Sequence, residues 1–354
     1  MLYTIRQLGM ARGGSGNMLY GDYRYNHTNL GVACTTGASG QNYGYCTVGG
    51  GFRNTASGER ATVGGGFCNT AGGNYTTVAG GLNNAASGQA ATVGGGYGDS
   101  ATGMSSTVSG GANNRATANY AAVCGGQSNL ASGSHSTIGG GYENTASGID
   151  ATVGGGLRNY AADYATVGGG VNDSALGVRS TVAGGTSNKA VGDYSTIGGG
   201  FNNWALGRGS FIGGGYLDTV NGVYCGVGCG YGNVAGDAST DTASTVAGGR
   251  WNKAIAMHSF VGGGSHNTAS SGNATVGGGG GNTASGPYAT VAGGNENTAS
   301  GWEATVGGGW NNYATASRAT IGGGNDNTAS GGNATIPGGY SNTAAGYGSF
   351  AANT

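Results

Sequence analysis

Two acidic residues, Glu296 and Asp326, stand at equivalent places in a sequence that repeats itself every fifteen residues. If the repeats stack as parallel strands about 4.8 Å apart, two repeats set these carboxyls roughly 9.5 Å from each other. That is the outer limit for the acid and base of an inverting glycosidase, which need room for a water between them. No evident pocket or apolar wall desolvates either acid, so no enzymatic activity is expected. The four histidines, His27, His135, His258 and His266, never share a column in adjacent repeats, which leaves no histidine cluster for acid–base or metal chemistry. Cys34, Cys46, Cys68, Cys124, Cys225 and Cys229 fall at irregular spacings without a C-x-x-C pair. That spacing fits neither a zinc site nor a disulfide framework, and small apolar fillers are the expected role. No metal and no cofactor is expected.

The residues suited to hold a ligand are aromatic. Tyr288, Trp302, Trp310, Tyr313 and Tyr340 gather toward the end of the sequence, and aromatic faces suit saccharide rings. They are the candidate contact with a host surface glycan or protein receptor. A second set shares one column: Phe52, Phe67, Leu82 and Tyr97 in consecutive repeats, and Phe201, Tyr216 and Tyr231 in three more. Neighbours in such a column are expected to stack as a ladder, packing between chains or over the turns.

Composition narrows the scaffold that positions these groups. Of 354 residues 86 are Gly and only 2 are Pro, while 13 basic and 14 acidic residues nearly cancel. Collagen needs glycine at every third position with abundant proline, and a flexible linker would not recur in order. The near-zero net charge gives no footprint for nucleic acid. No apolar run reaches the roughly 20 residues of a membrane-spanning helix, so no membrane insertion is expected. The opening MLYTIRQLGMARGG has no basic segment followed by an apolar core, so it does not read as a signal peptide. Together with the scattered thiols, this fits assembly in the cytoplasm.

The repeat itself is the scaffold. Aliphatic markers run at fifteen-residue intervals from Val48 to Val153; one interval of 14 leads to Val167, and one of 19, holding GDASTDTAST, separates Val227 from Val246. Ile336 is the twentieth marker, and each opens a unit of the form V-G-G-G-x-x-N-T-A-S-G-x-x-A-T. The eighth residue after the marker is Ala in nineteen units, with Val220 the exception, and the second residue before it is Ala, Ser, Thr or Cys. Small residues in step with the marker give the period of two of an inward-facing strand surface. Such a core is too thin for a lone unit, so the units must stack. Paired glycines, each costing about 1 kcal/mol in a helix, exclude a helical reading. The expectation is an all-β chain, a parallel β-solenoid of about twenty 15-residue coils spanning residues 46–351. At the strand spacing, twenty coils make a rod of roughly 95 Å. Residues 1–45, with the tyrosine-rich MLYGDYRYNHTNLGVAC, form a cap, attachment or assembly segment, and an insertion loop lies at about 236–243.

Two columns test the register. The sixth residue after the marker is Asn in seventeen units and Asp in three; the column begins Asn54, Asn69, Asn84, Asp99, Asn114, Asn129 and Asn144, and its other acids are Asp173 and Asp218. Short amides tolerate left-handed backbone and form ladders when stacked, so this is a structural column. Charged residues fifteen apart are opposite in sign: Glu143 with Arg158, Asp193 with Arg208, Glu303 with Arg318.

The alternation of NTASG with ATVGGG resembles the repeat of YadA-like heads, a family found in trimeric autotransporter adhesins and in tail or appendage fibres of phages and bacteria. The resemblance covers residues 46–351 and implies a left-handed parallel β-roll, with three chains side by side in a homotrimeric rod. The residues add their own argument. Thr precedes the marker in sixteen units and glycine follows it in thirteen, so one flank is flat and small, and three chains are expected to meet along it. The expected function is a non-enzymatic structural fibre with an adhesive or receptor-binding role, a phage or phage-like tail or appendage fibre on a virion or extracellular appendage. A bacterial adhesin at the cell surface, or a filament assembling end to end, is the alternative. An ice-binding protein is the third, although a second rank of Thr is replaced by residues such as Tyr164, Arg179 and Tyr194.

Overall fold

A computed structural model describes residues 2–5, 9–12, 16–19, 27–39, 44–237 and 241–352. Among them there is no helix. The chain divides into two units, Met1–Asp173 and Ser174–Thr354, and each is a parallel β-solenoid. The two together hold about 21 coils of about 15 residues. A coil carries two strands of two residues, one Thr-Val and one Thr-Ala, joined by a turn at either edge. In the first unit Val63 lies against Val78 and Ala56 against Ala71. In the second, Val276 lies against Val291 and Ala284 against Ala299.

Strands this short suffice because the turns are hydrogen-bonded from coil to coil as well. Gly49 N–H donates to Val63 O (2.9 Å), Phe52 N–H to Gly66 O (3.0 Å) and Ser57 N–H to Ala71 O (2.9 Å). Backbone pairing between coils thereby continues beyond the strands into the turns. The core is one side chain deep: Val63, Ala56 and Ala61 are fully buried, and the alternating Thr residues face out.

Both irregular coil lengths are absorbed in the same turn, the one leading from the Thr-Ala strand back to the Thr-Val strand. The short coil runs from Tyr160–Ala161 to Thr166–Val167 with one residue fewer than its neighbours, yet Thr152 still pairs with Thr166. The long coil carries its four extra residues between Val234–Ala235 and Thr245–Val246, and Val227 still pairs with Val246. The middle of that insertion, 238–240, lies outside the described residues.

Parallel pairing begins ahead of residue 46, where the repeat first becomes readable. Thr28 pairs with Thr47, Asn29 with Val48 and Thr36 with Ala56, which makes one further coil without an aliphatic marker. Asn29 stands in the marker's place, and Cys34 stands in the Asn column, its Sγ meeting the Asn54 N–H at 3.3 Å. Before it, Gly9–Arg12 runs parallel to Thr28–Asn29 and antiparallel to Leu2–Ile5. Residues 20–26, which hold the three tyrosines of the tyrosine-rich stretch, lie outside the described residues.

Left-handed backbone is not where the Asn column suggests it. Outside glycine, positive φ falls mainly on the fifth and twelfth residues after the marker, as at Arg53 (55°), Trp251 (55°), Tyr75 (63°) and His135 (59°). A non-glycine residue held there costs about 1–3 kcal/mol. The coil offsets that strain with a bond at each corner: Cys68 N–H donates to Phe52 O at 3.0 Å, and Tyr75 N–H to Glu59 O at 2.7 Å.

Candidate functional site

The Asn column is buried and closed upon itself. Asn129 Oδ1 accepts the Asn144 N–H at 3.0 Å, while its Nδ2 donates to Gly125 O at 3.0 Å and to Gly141 O at 2.9 Å. Each amide thus ties its own glycine turn to that of the next coil. With both ends of the amide engaged and no exposure, the column holds coils together and offers nothing to a ligand.

The aromatic column does stack. Phe201 and Tyr216 lie 4.9 Å apart at 10°, Tyr216 and Tyr231 5.1 Å apart at 2°, and Phe52 and Phe67 5.5 Å apart at 24°. Stacking occupies the ring faces, so what the column turns outward is ring edges. Sugar rings bind aromatic faces, and the inner rings of this ladder have none to give. Trp251 continues the contact on Tyr231 edge-on, at 5.1 Å and 80°.

The five candidate receptor residues fall in three places. Tyr288 and Trp302 lie at the turn that follows the Thr-Ala strand, where the Arg318 guanidinium sits 4.6 Å over the Trp302 ring. Trp310 and Tyr340 lie at the opposite turn, on either side of Asn325 in one column. Tyr313 is on the outer face of a Thr-Ala strand and donates its hydroxyl to Asn311 Oδ1. All five are exposed, Tyr340 (65%), Tyr288 (56%) and Trp310 (52%) the most, and none of these three has its ring stacked on another aromatic among the described residues.

Asn311 fills the rung between Glu296 and Asp326. Its Nδ2 donates to Asp326 Oδ1 at 2.6 Å, and the Trp310 indole N–H reaches Glu296 Oε2 at 3.3 Å. The two acids lie on an exposed turn with an amide between them, which is not the open, desolvated gap an inverting pair requires. The ion pairs expected from the register form at Glu143–Arg158 and at Glu303–Arg318 (3.0 Å), where the Arg158 hydrogen bond holds the Glu143 carboxyl below its usual range. Asp193 and Arg208 do otherwise: Asp193 Oδ1 accepts the Val178 N–H at 2.9 Å, and Arg208 lies over the Tyr194 ring. The residues opposite the Thr column, Tyr164, Arg179 and Tyr194, sit at left-handed corners and not on the sheet, so Thr has no second rank there.

All six cysteines are free thiols; Cys34, Cys46 and Cys225 are buried, Cys68 is half-buried, and Cys124 and Cys229 are exposed. The filler role therefore fits the three buried ones and not the exposed pair. Burial pushes the Cys46 thiol up from its ordinary value, which suppresses the reactive thiolate. A maleimide is expected to reach Cys34, Cys46 and Cys225 only after unfolding; labelling of folded Cys46 at the rate of a free thiol would contradict the register. No protein-family model and no curated protein matches the chain.

Proposed function

We propose that the chain is a non-enzymatic structural fibre built of YadA-like head repeats, in which three left-handed β-rolls pack side by side as a homotrimer. The carrying observation is a glycine column that the coil itself requires at only some of its positions. The second residue after the marker is Gly in nineteen of twenty units. A Cβ built at Gly65, Gly125, Gly169, Gly278 or Gly293 meets nothing within 4 Å. Cys229 occupies the same position in the remaining unit with ordinary backbone. Strain accounts for glycine at six positions of the column, among them Gly95 (φ +145°) and Gly140 (φ +155°), but at those five neither packing within the coil nor strain explains it. A solvent-facing position kept free of side chains fits the close approach of another backbone.

Charge supports the same flank. From the residue before the marker to the third glycine after it, no unit carries an acidic or basic residue; interface cores are depleted in charge in the same way. The exposed Trp310 and Tyr340 remain free for a receptor, a host surface glycan or protein. This suits the tail or appendage fibre of a phage or phage-like particle, with a cell-surface adhesin as the alternative reading.

Native mass spectrometry is expected to give three times the 33.9 kDa chain. Gly278→Val with Gly293→Val is expected to release monomers with an unchanged circular dichroism spectrum, and to speed maleimide labelling of Cys229. A monomeric wild-type chain at micromolar concentration would sink the reading.

A further inference from the structure

Three acids interrupt the Asn column, and two of them, Asp99 in the first unit and Asp218 in the second, raise a hydrogen-bonding problem that asparagine does not. One oxygen keeps the column's role: Asp99 Oδ1 accepts the Asn114 N–H at 2.7 Å, and Asp218 Oδ1 accepts the Asn233 N–H at 2.7 Å. The other takes the place of the amide nitrogen. An ideal Cβ on Gly96 would lie 2.4 Å from Asp99 Oδ2, just as one on Gly81 lies 2.5 Å from Asn84 Nδ2; on Gly215 it lies 2.3 Å from Asp218 Oδ2. In that place Asn84 Nδ2 donates to two glycine carbonyls, Gly80 O and Gly96 O, each at 2.9 Å. An ionised oxygen there is an acceptor set among acceptors. Both residues are fully buried, and neither Oδ2 has a hydrogen-bond partner.

We propose that Asp99 and Asp218 remain neutral carboxylic acids in the folded chain at pH values where an exposed aspartate is ionised. Each donates its Oδ2 proton to a glycine carbonyl of its own turn or the next, and these two coils are where rising pH loosens each unit. An unpaired buried carboxylate is costly, and taking up a proton is the ordinary escape. No opposite charge stands by to offer another. On the coils flanking Asp99 the only charged side chain is Arg115, exposed on the outer face of its strand, and Tyr97 beside it is exposed. Around Asp218, Tyr216 and Tyr231 stack outward at the same turn. Arg208, Tyr224, Asp237 and Asp241 belong to the opposite turn, and the Cys225 thiol is buried while Cys229 is exposed. Burial raises both carboxyls above the ordinary aspartate value, with the Asn114 and Asn233 hydrogen bonds opposing it.

A folded state that keeps a proton which the unfolded chain has released is most stable below the unfolded value of about 3.9. Its stability then falls as pH rises toward the raised folded value. The test is thermal unfolding from about pH 4 to pH 9, comparing wild type with the Asp99→Asn, Asp218→Asn double variant. Asn is the residue the column uses elsewhere, so the variant is expected to fold. The two proteins should melt together at the acid end, and the variant should gain several degrees progressively toward the alkaline end. At neutral pH the wild type should also show an infrared C=O stretch of protonated carboxyl that the variant lacks. Parallel melting profiles, or a wild-type profile flattened by added Ca²⁺ and restored by chelator, would overturn the proposal, the second by showing that a cation and not a proton neutralises the site.

Discussion

Gly126→Ala is expected to destabilise the first unit by on the order of 4 kcal/mol or more, at the far end of what single substitutions do, whereas Gly125→Ala is expected to leave the coil itself unchanged. Two adjacent glycines of one turn thus differ because of what lies above them. Gly126 has a φ of +88°, and a Cβ there would sit 2.1 Å from Gly141 O and 2.7 Å from Asn129 Nδ2. Gly141 O cannot move aside without loss, since it already accepts the Gln127 N–H at 2.9 Å and the Asn129 Nδ2 at 2.9 Å. At Gly125 a Cβ meets nothing within 4 Å. Chemical denaturation of each variant, with hydrogen exchange read over residues 112–144, provides the measurement. Equal stability of the two variants would mean that the coils do not approach as described. A loss of assembly in Gly125→Ala without loss of secondary structure would belong to the flank between chains, and so bears on the fibre.

The sequence reading could place these glycines in columns but could not tell them apart. A fixed period reveals which residues are stacked, because every coil must put the same position on the same rung; Val63 on Val78 and Phe201 on Tyr216 follow from counting alone. It is silent on the path between rungs. Left-handed corners at Arg53 and Tyr75 are hidden because Arg and Tyr are not residues one assigns to positive φ, and the hydrogen bonds their N–H groups donate to the preceding coil hold them there. The coil at Thr28–Thr36 was hidden because Asn29 replaces the marker. The Asp193 and Arg208 pairing was plausible by spacing, yet a short carboxylate found a backbone N–H nearer than the guanidinium. For the candidate receptor residues, spacing along the chain gave proximity without orientation: Trp302 and Trp310 are eight residues apart and belong to turns at opposite edges of the coil.

Asn129→Ala is the second large effect, expected to cost roughly 3–5 kcal/mol, from one buried donor and one buried acceptor stranded at about 1–3 kcal/mol each and the lost packing of the amide. The substitution strands the Asn144 N–H, which has Asn129 Oδ1 as its acceptor at 3.0 Å, and it removes the Nδ2 donor from Gly125 O. Gly141 O fares better, because the Gln127 N–H still reaches it. Asn129→Asp separates the two halves of the amide: Oδ1 is retained for Asn144, while the donor survives only if the acid stays protonated. The aspartate variant should therefore lie close to wild type in acid and move toward the alanine variant as pH rises past the ordinary aspartate value of about 3.9. Denaturation midpoints of both variants at an acid and an alkaline pH decide the matter. If Asp is as damaging as Ala already in acid, the acceptor half of the ladder contributes nothing, and the columns are held by backbone pairing alone.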